Sequence, residues 1–145
     1  MDIRALYQEM LLDHGRRPRH FCANPEAQCS HRGFNPLCGD EITIYCDVKA
    51  GRVIDLSFDG TGCAISIASA SMMAEHLQNA SLEHINAVWQ AFNVLLTADD
   101  APTPDRKTLG KCTILAGVRE FPMRVKCATL GWHTLRHALA QAREE

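Results

Sequence analysis

The spacing of apolar residues changes along the chain, and each change marks an element. Ile3, Leu6, Tyr7, Met10 and Leu11 recur at helical spacing. They predict an amphipathic helix from Ile3 to about His14, with Gly15 as its stop. From Arg16 to Asn35 the periodicity vanishes, and Pro18, Pro25 and Gly33 interrupt. That stretch reads as an irregular segment, long enough to carry function. Ile42, Ile44, Cys46 and Val48 then alternate with Thr43, Tyr45 and Asp47, the mark of a half-buried strand. Lys49-Ala50-Gly51-Arg52 reads as a turn and Val53 to Phe58 as a second strand, so the two form an antiparallel hairpin.

Past Gly60-Thr61-Gly62 the period becomes helical. Ser66 to about Leu77 reads as a helix whose small residues, Ala68 to Ser71, allow close packing, with Met72, Met73 and Leu77 as bulk. Ser81 can cap a further helix that presents Ile85, Val88, Trp89, Phe92 and Leu96 on one face. Ala101-Pro102-Thr103-Pro104 is a linker. Leu109, Cys112 and Leu115 mark a short helix ending near Gly117. Phe121-Pro122 opens a last helix carrying Val125, Ala128, Trp132, Leu135 and Leu139, with an acidic end, Glu144-Glu145, that opposes the helix dipole and should fray. Strands precede helices without βαβ alternation. The expected fold is α+β: a small antiparallel sheet with helices packed on one face, as a single domain over 1–145.

Composition narrows the function. Hydrophobic residues at 46% and charged residues at 22% suit a soluble globular domain. A net charge of −2 gives no global basic excess to draw nucleic acid or an anionic membrane. Arg16, Arg17 and Arg19 form a local basic cluster, read as a solvated turn before a docking patch. The start, MDIRALYQEM, has an acid at position 2 and no apolar run, unlike a signal peptide. No stretch approaches the ~20 apolar residues of a membrane span. A cytoplasmic protein in a reducing compartment is expected. Seven cysteines, an odd count without an export signal, then argue against a disulfide framework.

The cysteines sort by position. Cys46 on the inward phase of a strand and Cys112 on an apolar helix face read as inert core. Cys22 and Cys29 lie in the irregular segment near His20 and His31, where no spacing fixes a second metal site. The seven histidines fall on helices or loops and read as exposed. Cys38, Cys63 and Cys127 differ, because each lies at a junction: before the first strand, after the second, and at the start of the last helix. Gly39 and Gly62 flank two of them and let backbone come close to an ion. Asp40 adds an oxygen. Three thiolates and a carboxylate make a tetrahedral metal set, but without a paired CxxC the spacing equally admits three unrelated thiols.

Four stretches carry a resemblance that covers nearly the whole chain: LYQEMLLDHGRRPRH, NPLCGDEI, FDGTGCAISIASASMMAE and FPMRVKCATLGW. Through them the chain resembles the SufU branch of the IscU/NifU N-terminal superfamily of iron–sulfur cluster assembly proteins. The resemblance implies zinc held by Cys38, Asp40, Cys63 and Cys127. Within that superfamily, IscU-type scaffolds carry a histidine where this chain has Lys126, and an LPPVK chaperone motif that is absent here. The residues around Pro102 to Gly117 look like a SufU-type insertion. The first motif reads PRHFC, where the family commonly has asparagine after Pro-Arg, so His20 and Cys22 are a local departure.

What the resemblance implies is sulfur transfer, with Cys38 as the reactive group. Zinc would hold Cys38 as a protected thiolate. A pyridoxal-phosphate cysteine desulfurase (SufS-like) would dock, offer a histidine in place of Cys38 on the ion, and pass its persulfide sulfur to the freed thiolate. Arg124 and Lys126 flank Cys127 and could offset charge around the ligands, Lys126 the better placed; both could equally point to solvent. The main alternative is a scaffold that holds iron or a nascent [2Fe–2S] cluster on the same four residues. A further one is an adaptor whose zinc is purely structural. Downstream cluster-assembly proteins are further expected partners; nucleic acid and membrane are not.

Overall fold

A computed structural model describes residues 3–143. Helix α1 (Ile3–Arg16) leads into strands β1 (Cys29–Asn35), β2 (Asp40–Lys49) and β3 (Arg52–Thr61). Helices α2 (Ala64–Leu77), α3 (Leu82–Thr97) and the single turn α4 (Arg106–Leu109) follow. A 3-10 segment, Gly110–Glu120, then leads to α5 (Pro122–Arg143). The strands make one antiparallel sheet in the order β1-β2-β3. This is the α+β architecture the pattern predicts, with one strand more. The expected fraying at Glu144-Glu145 lies outside the described residues.

The extra strand corrects the reading of Arg16 to Asn35 as wholly irregular. Cys29 pairs with Cys46 and Asn35 with Asp40 across β1 and β2. The β2–β3 hairpin turns at Ala50 and Gly51, whose φ values of 52° and 75° give the right-handed twist a two-residue connection needs. Asp40, Ile42, Ile44 and Cys46 of β2 face the helices and are fully or almost fully buried, while Thr43, Tyr45 and Asp47 lie on the opposite, partly open face. A register shift at Asp47/Val48 leaves Ile54 as the extra residue of β3, so Val53 and Leu56, three apart, both enter the same core as Phe58. The chain after α1 is ordered against β3: the Phe58 N–H donates to the His20 carbonyl, and the Phe21 ring meets Phe58 edge-on.

Helix α5 crosses the sheet between β1 and α2. A Cβ on Gly33 would lie 2.0 Å from Thr134 Oγ1, so the Thr134 side chain of α5 packs straight onto the β1 backbone, and one on Gly131 would lie 3.1 Å from Ala70 Cβ, where α5 comes close to α2. The indole of Trp132 donates to Ser69 Oγ at 3.0 Å and its ring stacks on Phe92 at 4.2 Å, joining α5 to α2 and α3. Gly15 does not stop α1, which runs one residue further to Arg16, before Pro18. Gly15 instead lies against Ala64 at the start of α2. The predicted short helix over Leu109–Gly117 is 3-10 rather than α for most of its length. Leu109, Cys112, Leu115 and Val118 are all buried at a spacing of three, the 3-10 period.

His14 departs from the expectation of exposed histidines. It is 3% exposed, and its Nδ1 lies 2.7 Å from Ser71 Oγ, which also accepts the Arg19 N–H at 2.8 Å. Burial, then the Arg19 cation, hold its pKa below the ordinary imidazole value; Glu75 and Asp13 pull the other way and Lys111 adds to the depression. The unfolded chain therefore takes up a proton near pH ~6.5 that the folded chain resists, so stability falls as the pH drops below that value. At the other end, burial pushes the Cys46 and Cys112 thiols up to about 12. Their contribution is full at neutral pH and is lost as the pH rises from ~8.5, where unfolded thiols ionise. Melting temperatures should form a plateau around neutrality, and His14→Gln should flatten the acid limb. An acid limb unchanged by that substitution would show that other groups cause it.

Candidate metal centre

Three junctions at one end of the sheet build the site. The first is the connection from β1 to β2. The Asn35 carbonyl accepts the N–H groups of Cys38 at 3.3 Å and Gly39 at 2.9 Å, closing a single tight turn over Pro36 and Leu37. Gly39 ends that turn at φ 70°, where a side chain is disfavoured. The turn holds Cys38 out in solvent and returns Asp40 into the protein, where it is fully buried. Cys38 therefore lies between the first and second strands of the sheet, rather than before its first.

The second junction, from β3 to α2, carries Cys63. It is the N-cap of α2, and its sulfur accepts the Ser66 N–H at 3.4 Å. The Cys63 N–H donates to Asp40 Oδ1 at 2.8 Å, and its sulfur lies 3.8 Å from Asp40 Oδ2. Gly62 makes room for that carboxylate, since a Cβ there would fall 2.8 Å from Asp40 Oδ1. The two flanking glycines thus serve backbone conformation and the neighbouring aspartate.

Cys127 comes from the second turn of α5. It is 2% exposed, with its sulfur 3.3 Å from that of Cys38 and 3.6 Å from the Met123 carbonyl. Burial pushes its thiol pKa up, and the neighbouring Cys38, Asp40 and Cys63 push it further. The Cys127 thiol therefore resists ionising unless a positive charge joins it.

The donor atoms of Cys38, Asp40 and Cys127 all lie within 4.8 Å of one another, the one such cluster of three among the described residues. Cys63 adjoins it through Asp40. Donors shared by one ion at ordinary bond lengths sit about 3.5–4 Å apart, close to the separations found here. Three sulfurs and a carboxylate suit zinc or iron rather than magnesium or calcium. Arg124 and Lys126 are exposed on α5, and neither forms an ion pair among the described residues. Lys126 lines a shallow groove with Phe34, Leu37 and His133, and Phe34, Leu37 and Met123 are strongly exposed around this end of the molecule.

The other cysteines stay away. Cys29 faces the core opposite Cys46, Cys112 is fully buried, and Cys22 is exposed. His20 and His31 do not join Cys22 and Cys29 in a cluster; the His31 ring stacks on His137. The sequence reading missed Asn35. Its side chain is buried between the Cys38 turn and Cys127, with Nδ2 3.8 Å from the Cys127 sulfur.

The chain matches the NifU-like N-terminal domain family over residues 6–141. It is 34% identical over 137 residues to the iron–sulfur cluster assembly scaffold protein IscU of Streptococcus pyogenes serotype M1, covering 94% of this chain and 84% of that one. It is 33% identical over 136 residues to the zinc-dependent sulfurtransferase SufU of Bacillus subtilis strain 168, covering 94% and 90%. A crystal structure from Fervidobacterium islandicum AW-1, described as a cluster assembly scaffold protein for the SUF system, superposes with a TM-score of 0.84 at 29% identity, covering 95% of this chain and 99% of that one.

Proposed function

The chain belongs to the NifU-like N-terminal domain family, and from that membership we propose that it works in iron–sulfur cluster assembly, accepting sulfur on Cys38 from a cysteine desulfurase. One observation carries the reading. Cys38 is exposed on a turn, while Asp40 and Cys127 beside it are buried. A sulfur in that position can reach a partner's active site while the rest of the pocket stays in place. Asp40, Cys63 and Cys127 with Cys38 are the residues that would hold zinc. Bound zinc would keep these sulfurs as thiolates at neutral pH and mask Cys38 until its release.

Released, the Cys38 thiolate attacks the outer sulfur of the desulfurase persulfide. A new S–S bond forms at Cys38, the old S–S bond breaks, and the desulfurase cysteine leaves as thiolate. No net oxidant is needed. The exposed Phe34, Leu37 and Met123 offer an apolar rim for such a partner, and Lys126 offers a cation beside it. Lys126 also supports transfer over scaffolding, since its ammonium is not a ligand where a histidine would be. The name of the streptococcal relative favours a second reading, in which the same four residues hold a nascent cluster as substrate.

Protein purified without oxygen separates the two. Under sulfur transfer it holds about one zinc per chain and no visible chromophore. After incubation with a desulfurase and cysteine, the peptide containing Cys38 gains the mass of one sulfur atom. Iron with a brown chromophore, and no sulfur on Cys38, would overturn the proposal in favour of the scaffold.

A further inference from the structure

We propose that Asn35 is a positioning residue of this site, one that couples the exposed Cys38 turn to the buried sulfur of Cys127. The inference rests on reading Cys38, Asp40, Cys63 and Cys127 as a metal-binding sulfur acceptor. Asn35 is the last residue of β1, pairs with Asp40 across the sheet and is 7% exposed. Its side-chain Oδ1 accepts the Leu37 N–H at 3.2 Å. Its backbone carbonyl accepts from Cys38 and Gly39. Three of the four residues in the turn are thus bonded to this one residue.

The orientation of its amide follows from chemistry. The Leu37 N–H can only donate, so the amide atom facing it must be the oxygen. The nitrogen then faces Cys127, 3.8 Å from its sulfur. A donor aimed at a buried sulfur fixes where that sulfur sits and points, as groups behind a metal ligand do. The same side chain therefore does two jobs. It caps the turn that carries the releasable sulfur, and it marks the fixed sulfur as a ligand that stays. If Cys38 leaves, the contact to Cys127 does not depend on it.

Serine and alanine separate the two roles. In Asn35→Ser the hydroxyl can still cap the Leu37 N–H as a short side-chain turn, but it is too short to reach Cys127. Asn35→Ala loses both contacts. Zinc affinity is read by competition with a chelating dye, thiolate bonding by the absorption bands of the cobalt(II)-loaded protein, and the turn by the melting temperature of metal-free protein. Asn35→Ser should bind zinc about 10–100-fold more weakly, shift the cobalt–thiolate bands, and melt with the parent. Asn35→Ala should show the same weakening together with a lower melting temperature. An Asn35→Ser protein with parental zinc affinity and parental bands would overturn this inference and leave the proposed function standing. So would weakening matched by a collapse of metal-free stability, which would make the residue merely structural. A parent chain that takes up neither metal would sink both readings.

Discussion

Cys38→Ala should bring stimulation of a cysteine desulfurase down to the rate seen without any acceptor, while leaving the protein folded. The loss is complete because the step needs a sulfur nucleophile at that place. Cys127 is 2% exposed, so a persulfide on another protein cannot reach it without opening the site. Cys63 is partly open, but its sulfur caps α2 through Ser66 and lies against Asp40. The fold survives because Cys38 is exposed and its turn is held by the Asn35 carbonyl through backbone N–H groups that alanine retains. Substitutions at such positions usually change stability by within about 0.5 kcal/mol. The assay follows alanine release from cysteine, with melting of the metal-free variant as control. Full stimulation by Cys38→Ala would refute the acceptor role. Loss of folding instead would return the site to a purely structural metal.

The hairpin and the long helices were legible because their core-facing residues are apolar at a regular period. Strand β1 was not. Its inward residues are Cys29, His31, Gly33 and Asn35, and none of the last three advertises a buried face. The strand exists because it pairs with β2 and because α5 presses directly on Gly33, both tertiary effects outside the reach of local pattern. The 3-10 segment shows a different limit: the spacing of Leu109, Cys112 and Leu115 predicts a short helix but does not by itself fix which kind. His14 continues the stripe of Tyr7 and Met10 into the core, so its position carried a signal that its polarity hid. For the site, junction position alone could not tell four converging residues from scattered thiols, and the resemblance to a known family made the choice. Asn35 escaped because an asparagine before proline reads as an ordinary turn residue, and its contact with Cys127 bridges segments far apart in sequence.

The largest effect on metal retention should come from Asp40. Its carboxylate is fully buried, accepts the Cys63 N–H through Oδ1, and presents Oδ2 toward the sulfurs. Asp40→Ala removes a donor, a charge and a hydrogen-bond acceptor together. It strands a backbone N–H at the head of α2, a loss of about 1–3 kcal/mol when such a group is buried. Asp40→Asn keeps an oxygen for that N–H but no longer offers a charged donor. If the carboxylate serves the metal, both variants should lose zinc to a chelator far more readily than the parent, by well over the roughly 10–100-fold typical of groups that only orient a ligand. If it serves only the helix, Asp40→Asn should retain zinc and melt like the parent, and Asp40→Ala alone should suffer. Chelator competition and metal-free melting on the two variants therefore decide between the roles. The expected pattern also accounts for an oxygen among sulfurs. A carboxylate fixed by a backbone N–H stays in place when Cys38 leaves, so the pocket need not collapse while its exposed sulfur is away.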